Sequence, residues 1–254
     1  MKALVLAAGY ATRLYPLTKD FPKPLLTVGG KAILDYLIDN MRNLPGLDAV
    51  YVVTNSKFTP HFQAWAKALR FCAAPSPCPV EIIDDGTDSN ETRRGAVADM
   101  WYAIQTKGIH DDLLVAAGDN IYTMNLSDFY RFFAEKNSDV ILSYRITSLD
   151  KLRRTGVLQV DALGRVIGFE EKPVQPKSDL GCPALYLFQK KSLSLIPAYL
   201  DQGGNPDAPG HFISWLYQQH PVYAFLMTQP YYDVGNLESY YRICKQIETS
   251  GFSY

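Results

Sequence analysis

The chain reads as an α/β protein: a Rossmann-like, mostly parallel sheet with helices on both faces and a small antiparallel subsheet on the substrate side. Three observations predict this. Apolar runs too short for helices stop at glycine-bearing loops, as at residues 2–8 before Gly9 and 113–117 before Gly118. Near-continuous apolar strands are those buried on both faces of a parallel sheet. These runs alternate with segments of helical period through residue 146, the pattern of βα units. Beyond that point, short strands between polar turns replace the alternation, as antiparallel pairing requires.

Each element follows from local pattern. After the first strand, Ile33, Leu34, Leu37, Ile38 and Met41 recur at helical spacing, and Leu44-Pro45-Gly46 ends that helix. Residues 49–54 read as a second strand. A helix over 59–70 places Phe62, Trp65, Ala66 and Leu69 on one face, and 80–83 gives a third strand. Residues 95–104 are helical, and the strand 113–117 ends at Gly118-Asp119-Asn120. Ser127 is suited to cap a helix through Phe133, with a strand at 140–146 beyond it. Short strands are expected at 157–160, 166–169 and 185–188, and helices at 189–200, 211–219 and 237–248. No repeat or Gly/Ser linker divides the chain, so one domain over 1–254 is expected, with a first lobe over 1–120 and a second over 121–254.

Composition narrows the class. A chain of 254 residues can bury one large core. Charged residues are 20% of it and the net charge is −1, so no global field attracts nucleic acid or an acidic membrane. The early apolar stretch is too short to span a bilayer and no cleavage-site pattern follows it. Cys72, Cys78, Cys182 and Cys244 lack the spacing of zinc ligands. Cys72 and Cys78 flank Ala-Ala-Pro-Ser-Pro and would bridge in an oxidising compartment; without an export signal, free thiols in the cytoplasm are the expectation. His61, His110, His211 and His220 are scattered, and none is assigned to catalysis. The 17 tyrosines read as core and strand packing.

The loop after the first strand carries the chemistry. It contains two cations, Arg13 and Lys23, in a segment stiffened by Pro16, Pro22 and Pro24. Backbone N–H groups near Gly9 can approach an anion closely. Arg offers a planar fork and Lys a point charge, both suited to phosphate oxygens. Ligands of open α/β sheets sit at this edge. The run Leu6-Ala-Ala-Gly-x-x-Thr-Arg-Leu-x-Pro-Leu-Thr18, followed by Pro22-Lys-Pro-Leu-Leu26 and Gly30-Lys-x-Ile-Leu-Asp35, resembles the signature of the sugar-phosphate nucleotidyltransferases. Relatives commonly carry a second glycine where this chain has Ala11, which still permits close approach if its φ is negative.

That resemblance implies the remaining site. Gly118-Asp119-Asn120 is similar to the family's Gly-Asp-Asn metal element and Asp233-x-Gly235 to its downstream Asp-x-Gly, so Asp119 and Asp233 would hold Mg²⁺. Sparse carboxylates plus triphosphate oxygens suit that ion. Two neighbouring carboxylates repel, so neutralising either is expected to cost the metal-free fold little. Nucleotide contacts fall on Leu6, Ala8, Gly9, Thr12, Asn90, Gly95 and Gly118. Thr155-Gly156-Val157 and Phe169-Glu170-Glu171-Lys172-Pro173 are similar to the Gly…Glu-Lys-Pro element, which implies acceptor contacts from Asn120, Gly156, Glu171 and Lys172. Cys182-Pro183-Ala184 stands where relatives often have Asn-x-Gly, which leaves the sugar or alcohol phosphate undefined. No residue of 84–96 names the base.

The implied reaction is in-line attack of an acceptor phosphate on the α-phosphorus of an NTP, with Arg13 and Lys23 as the catalytic cations, and pyrophosphate leaving. Residues 1–120 then form the nucleotide lobe and 121–254 the sugar-phosphate lobe. The expected partners are an NTP and a phosphorylated sugar or alcohol; no nucleic acid and no membrane are expected, and self-association is left open. Two other readings stand beside it: a nucleotide-sugar-dependent glycosyltransferase, although Asp119-Asn120-Ile121 is not Asp-x-Asp, and a non-catalytic nucleotide or sugar-phosphate binder. A nicotinamide enzyme is disfavoured, because Gly9–Arg13 lacks the Gly-x-Gly-x-x-Gly set.

Overall fold

The computed structural model describes residues 1–72 and 78–250. In chain order the first part comprises β1 (Lys2–Leu6), β2 (Thr27–Val28), β3 (Lys31–Ala32), α1 (Ile33–Met41), β4 (Ala49–Thr54), α2 (Thr59–Cys72) and β5 (Val80–Asp84). The middle adds α3 (Ala96–Lys107), β6 (Leu113–Ala117), β7 (Asn120–Tyr122), α4 (Leu126–Lys136), β8 (Asp139–Arg145) and α5 (Leu149–Leu152). Then come β9 (Gly156–Val160), β10 (Val166–Glu171), β11 (Leu180–Cys182) and β12 (Leu185–Phe188). The chain continues with α6 (Lys190–Leu193), α7 (Leu195–Asp201), α8 (Pro209–Gln219), β13 (Val222–Leu226), β14 (Tyr231–Asp233) and α9 (Leu237–Ser250).

These elements form two units, each assembled from separate stretches. One contains Ala3–Arg93, Ala117–Leu126 and the segment from Gln229 onward; the other contains Met1–Lys2, Arg94–Ala116 and Ser127–Thr228. In the first, strands follow the order β1-β4-β5, and β4 and β5 are parallel with Val50 opposite Val80 and Thr54 opposite Asp84. All six residues of β4 are buried, as expected of a strand covered on both faces. Two small antiparallel pairs, β2–β3 and β7–β14, complete this unit. A core of Leu14, Leu26, Val28, Ile33, Tyr36, Ile121, Val234, Ile243 and Ile247 ties the early loop, β7, β14 and α9 together.

The second unit has strand order β10-β9-β11-β8-β12-β6, with β13 lying parallel along β8. The β10–β9, β9–β11, β11–β8, β8–β12 and β12–β6 pairs are antiparallel. The small antiparallel subsheet expected beyond residue 146 is therefore β9, β10 and β11. α8 packs on β10, and the Ser214 hydroxyl donates to the Phe169 carbonyl at 3.0 Å. Phe212 is buried and meets Phe188 edge-on at 5.9 Å.

Local departures from the sequence reading have physical causes. The helix expected over 189–200 is two helices, α6 and α7, parted at Ser194. Pro197 has no N–H to give to the Leu193 carbonyl, so an unbroken helix cannot cross that point. α8 begins at Pro209 rather than 211, with proline in the first helical turn, where its fixed φ fits. Cys72 belongs to α2, and its side chain, with the pairing to Cys78, lies outside the described residues.

Candidate active site

β1 ends at Leu6, and the backbone leaves it fixed from two sides. The Ala7 amide donates to the Val53 carbonyl at 2.9 Å, and the Gly118 amide donates to the Leu6 carbonyl at 3.0 Å. The Asn55 side chain donates to the Ala8 carbonyl at 2.9 Å. Gly9 is exposed, with open space where a Cβ would stand. Ala11 adopts φ +46°, ψ +43°, the left-handed region, so the condition of a negative φ is not met at the position where relatives carry glycine. Its carbonyl accepts from the Thr18 hydroxyl at 2.8 Å and from the Leu14 amide at 2.9 Å. A 3₁₀ turn over Thr12–Leu14 follows; buried Leu14 anchors it and leaves Thr12 and Arg13 exposed.

Lys23 lies in a second 3₁₀ turn, Lys23–Leu25, started by the extended Pro22. Its side chain is 8% exposed, and its Nζ meets Asp119 Oδ2 at 2.7 Å. Gly118 makes this approach possible: a Cβ there would stand 3.0 Å from Val5 Cγ1 and 3.4 Å from Pro24 Cγ. Asp119 itself is 36% exposed. β14 then lays Asp233 directly opposite Asn120 in the β7 register. Ile121 and Val234, each next to one of these residues, are buried in the shared core, and the Thr123 hydroxyl donates to the Pro230 carbonyl at 2.6 Å. The unit thus brings Lys23, Asp119, Asn120 and Asp233 together from three stretches of sequence, and Leu14, next to Arg13, joins the core of Ile121 and Val234. Asn90, also in this unit, accepts from Arg93 Nη1 at 2.9 Å on the surface.

A second constellation lies in the other unit, on β10 and α8. Glu171 is 11% exposed on its side chain, and its Oε1 is 3.6 Å from Lys172 Nζ. Two glycines cradle the carboxylate. A Cβ on Gly156 would stand 2.6 Å from Phe169 Cζ and 3.0 Å from Glu171 Oε2, and one on Gly210 only 1.9 Å from Oε2. Burial pushes the Glu171 carboxyl above the usual range; Lys172 and His211 pull it back, and Asp207 pushes it up. Burial, and then the Glu171 charge, push the Cys182 thiol well up. Lys172 is exposed and has φ +50°, a backbone strain borne at the residue that presents a cation beside Glu171. Gly210 carries no sequence motif that announces its place beside Glu171; only the fold brings it to β10.

Gly95 stands in this same unit with φ +93°, where a Cβ would meet the Pro206 carbonyl oxygen at 2.5 Å. The Ala96 and Val97 amides donate to the Asp207 and Pro206 carbonyls at 3.2 and 2.9 Å. Both the left-handed φ and the close chain demand glycine here.

A family model described as Nucleotidyl transferase matches residues 2–250. The chain belongs to this nucleotidyl transferase family. Among its relatives, a glucose-1-phosphate adenylyltransferase of Desulfitobacterium hafniense (strain Y51) is 29% identical, over 94% of this chain and 62% of the relative. One of the same description from Thermotoga neapolitana is 28% identical, over 94% and 58%. The chain therefore spans about three fifths of the length of these relatives. Among solved structures, a protein described as a glucose-1-phosphate thymidylyltransferase from Bacillus anthracis, in complex with a sucrose, aligns with TM-score 0.80 at 20% identity, over 100% of this chain and 98% of that one. A UDP-glucose pyrophosphorylase complexed with UDP-glucose aligns with TM-score 0.80 at 17% identity, over 98% of each chain. At that identity the match is one of fold, and it establishes the α/β class. Nucleotidyltransferases of this family generally use a divalent metal.

Carboxylate oxygens alone, and few of them, suit a hard divalent ion that keeps part of its water shell. Among the described residues no group of three or more His, Cys, Asp or Glu could hold a metal. No described helix is long and apolar enough to cross a membrane.

Proposed function

We propose that this nucleotidyltransferase transfers a nucleoside monophosphate from an NTP to a sugar 1-phosphate or similar phosphorylated acceptor, releasing pyrophosphate. The observation that carries the reading is the Lys23–Asp119 contact at 2.7 Å beside Asp233 opposite Asn120. A nearly buried cation and two carboxylates serve a polyphosphate with its counter-ion and have no such use in a plain turn. Mg²⁺ is the metal proposed for Asp119 and Asp233, where it would neutralise triphosphate charge when bound.

Arg13 and Lys23 serve the phosphates of the nucleotide. Leu6, Ala8, Gly9, Thr12 and Gly118 line its backbone approach, and Asn90 and Gly95 remain the proposed base contacts. Arg13, exposed on a fixed turn, stabilises charge passing to the leaving pyrophosphate. Lys23 exchanges its Asp119 contact for an α-phosphate oxygen. Asn120, Gly156, Glu171 and Lys172 serve the acceptor. The Glu171 carboxylate, nearly buried and beside the Lys172 ammonium, takes hydroxyl donors from the acceptor. The exposed Lys172 ammonium meets its phosphate. That phosphate is already anionic, so positioning and charge neutralisation suffice and no general base is needed. An NTP-dependent reaction draws on the nucleotide pool of the cytoplasm, which is the proposed location.

A pyrophosphate-release screen tests the proposal. It crosses the common NTPs with sugar 1-phosphates and small alcohol phosphates, with and without Mg²⁺. Release that needs both an NTP and an acceptor supports it, and no release from any pair refutes it.

A further inference from the structure

The demand for glycine at position 95 comes from a stretch of chain that also reaches Glu171. A Cβ on Gly95 would stand 2.5 Å from the Pro206 carbonyl oxygen, 2.7 Å from its carbon and 3.0 Å from Asp207 Cα. All three are backbone atoms, so turning a side chain cannot relieve the clash. The Val97 and Ala96 amides donate to the Pro206 and Asp207 carbonyls at 2.9 and 3.2 Å and hold that close approach. Further along the same stretch, Gly210 is pressed against Glu171 Oε2, and its Cβ would stand 3.1 Å from Phe169 Cε1.

The link between the two glycines is stiff. Pro206 and Pro209 have fixed φ, and a residue before proline is held to extended backbone. Asn205 and Ala208 are both so placed, and Ala208 has φ −128° and ψ 140°. Asp207 lies between them, its amide donating to Asn205 Oδ1 at 2.9 Å. Asn205 is anchored in turn, its carbonyl accepting from the Tyr199 hydroxyl at 3.0 Å. The His211 amide donates to the Ala208 carbonyl at 3.0 Å, which joins the link to the first turn of α8. A short segment constrained in this way passes a displacement on rather than absorbing it.

We propose that Gly95 is a positioning residue of the acceptor subsite: it lets Pro206 seat against the start of α3, and the stiff link then sets Gly210 against Glu171. This rests on Glu171 serving the acceptor, and it goes beyond the base contact proposed for Gly95. Alanine at position 95 must open the 2.5 Å gap to about 3.3 Å. The link carries that movement to Gly210, and the carboxylate that accepts the hydroxyls loses its seat.

The test uses Gly95→Ala, Glu171→Ala and the double variant in the full chain, with steady-state pyrophosphate release and Tm measured for each. The acceptor is glucose 1-phosphate, or the phosphate found active in its place, with the NTP found active. Gly95→Ala should raise the acceptor KM about tenfold or more. NTP KM should stay within about twofold of wild type, and in the Glu171→Ala background Gly95→Ala should add nothing. That non-additivity separates action through Glu171 from a general loss of structure. Pro206→Gly leaves residue 95 untouched and loosens the link, so it should raise the acceptor KM too, again only where Glu171 is present. A rise in NTP KM as large as the rise in acceptor KM overturns the proposal, and so does a Gly95→Ala loss that persists in full without Glu171. Should Gly95→Ala fail to fold, Pro206→Gly decides, and a wild-type acceptor KM in that variant overturns the proposal. Glu171→Ala with a wild-type acceptor KM overturns the acceptor role of Glu171 and the role of Gly95 with it. A wild type that releases no pyrophosphate with any acceptor overturns nucleotidyl transfer itself.

Discussion

Gly210→Ala places one methyl group where the structure leaves no room. The added Cβ would stand 1.9 Å from Glu171 Oε2, 2.9 Å from its Cδ and 3.1 Å from Phe169 Cε1. Carbon and oxygen in ordinary contact need about 3.3 Å, so Oε2 must retreat by about 1.4 Å. What gives way is the end of a flexible side chain, and the backbone can stay. Alanine is favoured over glycine in a helix by about 1 kcal/mol, against about 1–3 kcal/mol for overpacking. The net change is small, and Tm should move by only a few degrees. Function should not survive so well. A misplacement of about 1 Å in a positioning group costs on the order of 100-fold, or about 2.7 kcal/mol. Continuous pyrophosphate release should show that loss in kcat/KM for the acceptor, with KM for NTP unchanged. Glu171→Asp in the Gly210→Ala background shortens the displaced side chain by one methylene and should restore part of the loss. An acceptor kcat/KM within threefold of wild type would refute the cradle's role.

Three further outcomes follow from the same geometry. Ala11→Gly should stabilise: left-handed backbone costs an L-residue about 1–2 kcal/mol, glycine's freer unfolded chain takes back about 0.4–1 kcal/mol, and Tm should rise by about 2–4 °C; a fall would show that the φ of +46° is not strained. Asp119→Asn should lower the metal-free Tm, because it leaves Lys23, 8% exposed, without its ion partner. With Asp119 36% exposed, solvent screening limits the cost to about 1–2 kcal/mol. An Asp119→Asn protein that melts as wild type in a metal-free thermal shift would contradict the Lys23–Asp119 assignment. For Glu171 the folded protein holds the proton more tightly than the unfolded chain, so its effect on stability is adverse above the raised value and disappears below the unfolded one. Glu171→Gln should therefore melt above wild type at pH 8, with the gap closing at acid pH; a gap that does not vary with pH would sink the burial argument.

The Lys23–Asp119 contact corrects the expectation that neutralising Asp119 costs the metal-free fold little. Mutual repulsion was the reasoning, but Asp119 has a cation at 2.7 Å. The sequence shows Lys23 in a proline-stiffened loop and Asp119 just past an apolar run, 96 residues apart. Their meeting depends on the missing Cβ of Gly118 and on Pro24, which no local pattern announces. β1, β4 and β6 were readable because they are apolar along nearly their whole length, and β5 through Val80, Ile82 and Ile83. β7, β14 and β2 were not, because strands of two or three residues have no period and gain their identity from distant partners. Lys172 was legible as a type within Glu-Lys-Pro, whereas its left-handed backbone was not. The value of Gly210 was hidden altogether, since its demand comes from a carboxylate on another element.

The loop over Gly95 has a consequence for anions. The starts of helices ordinarily offer unspent N–H groups to phosphate. At α3, Ala96 and Val97 have given theirs to the Asp207 and Pro206 carbonyls. A phosphate seeking that helix end would have to evict two oxygen atoms of the chain itself, and would meet the carbonyl dipoles pointing the wrong way. The start of α3 is in effect plugged. Whatever the segment before α3 meets, the Ala96 and Val97 amides are not open to it.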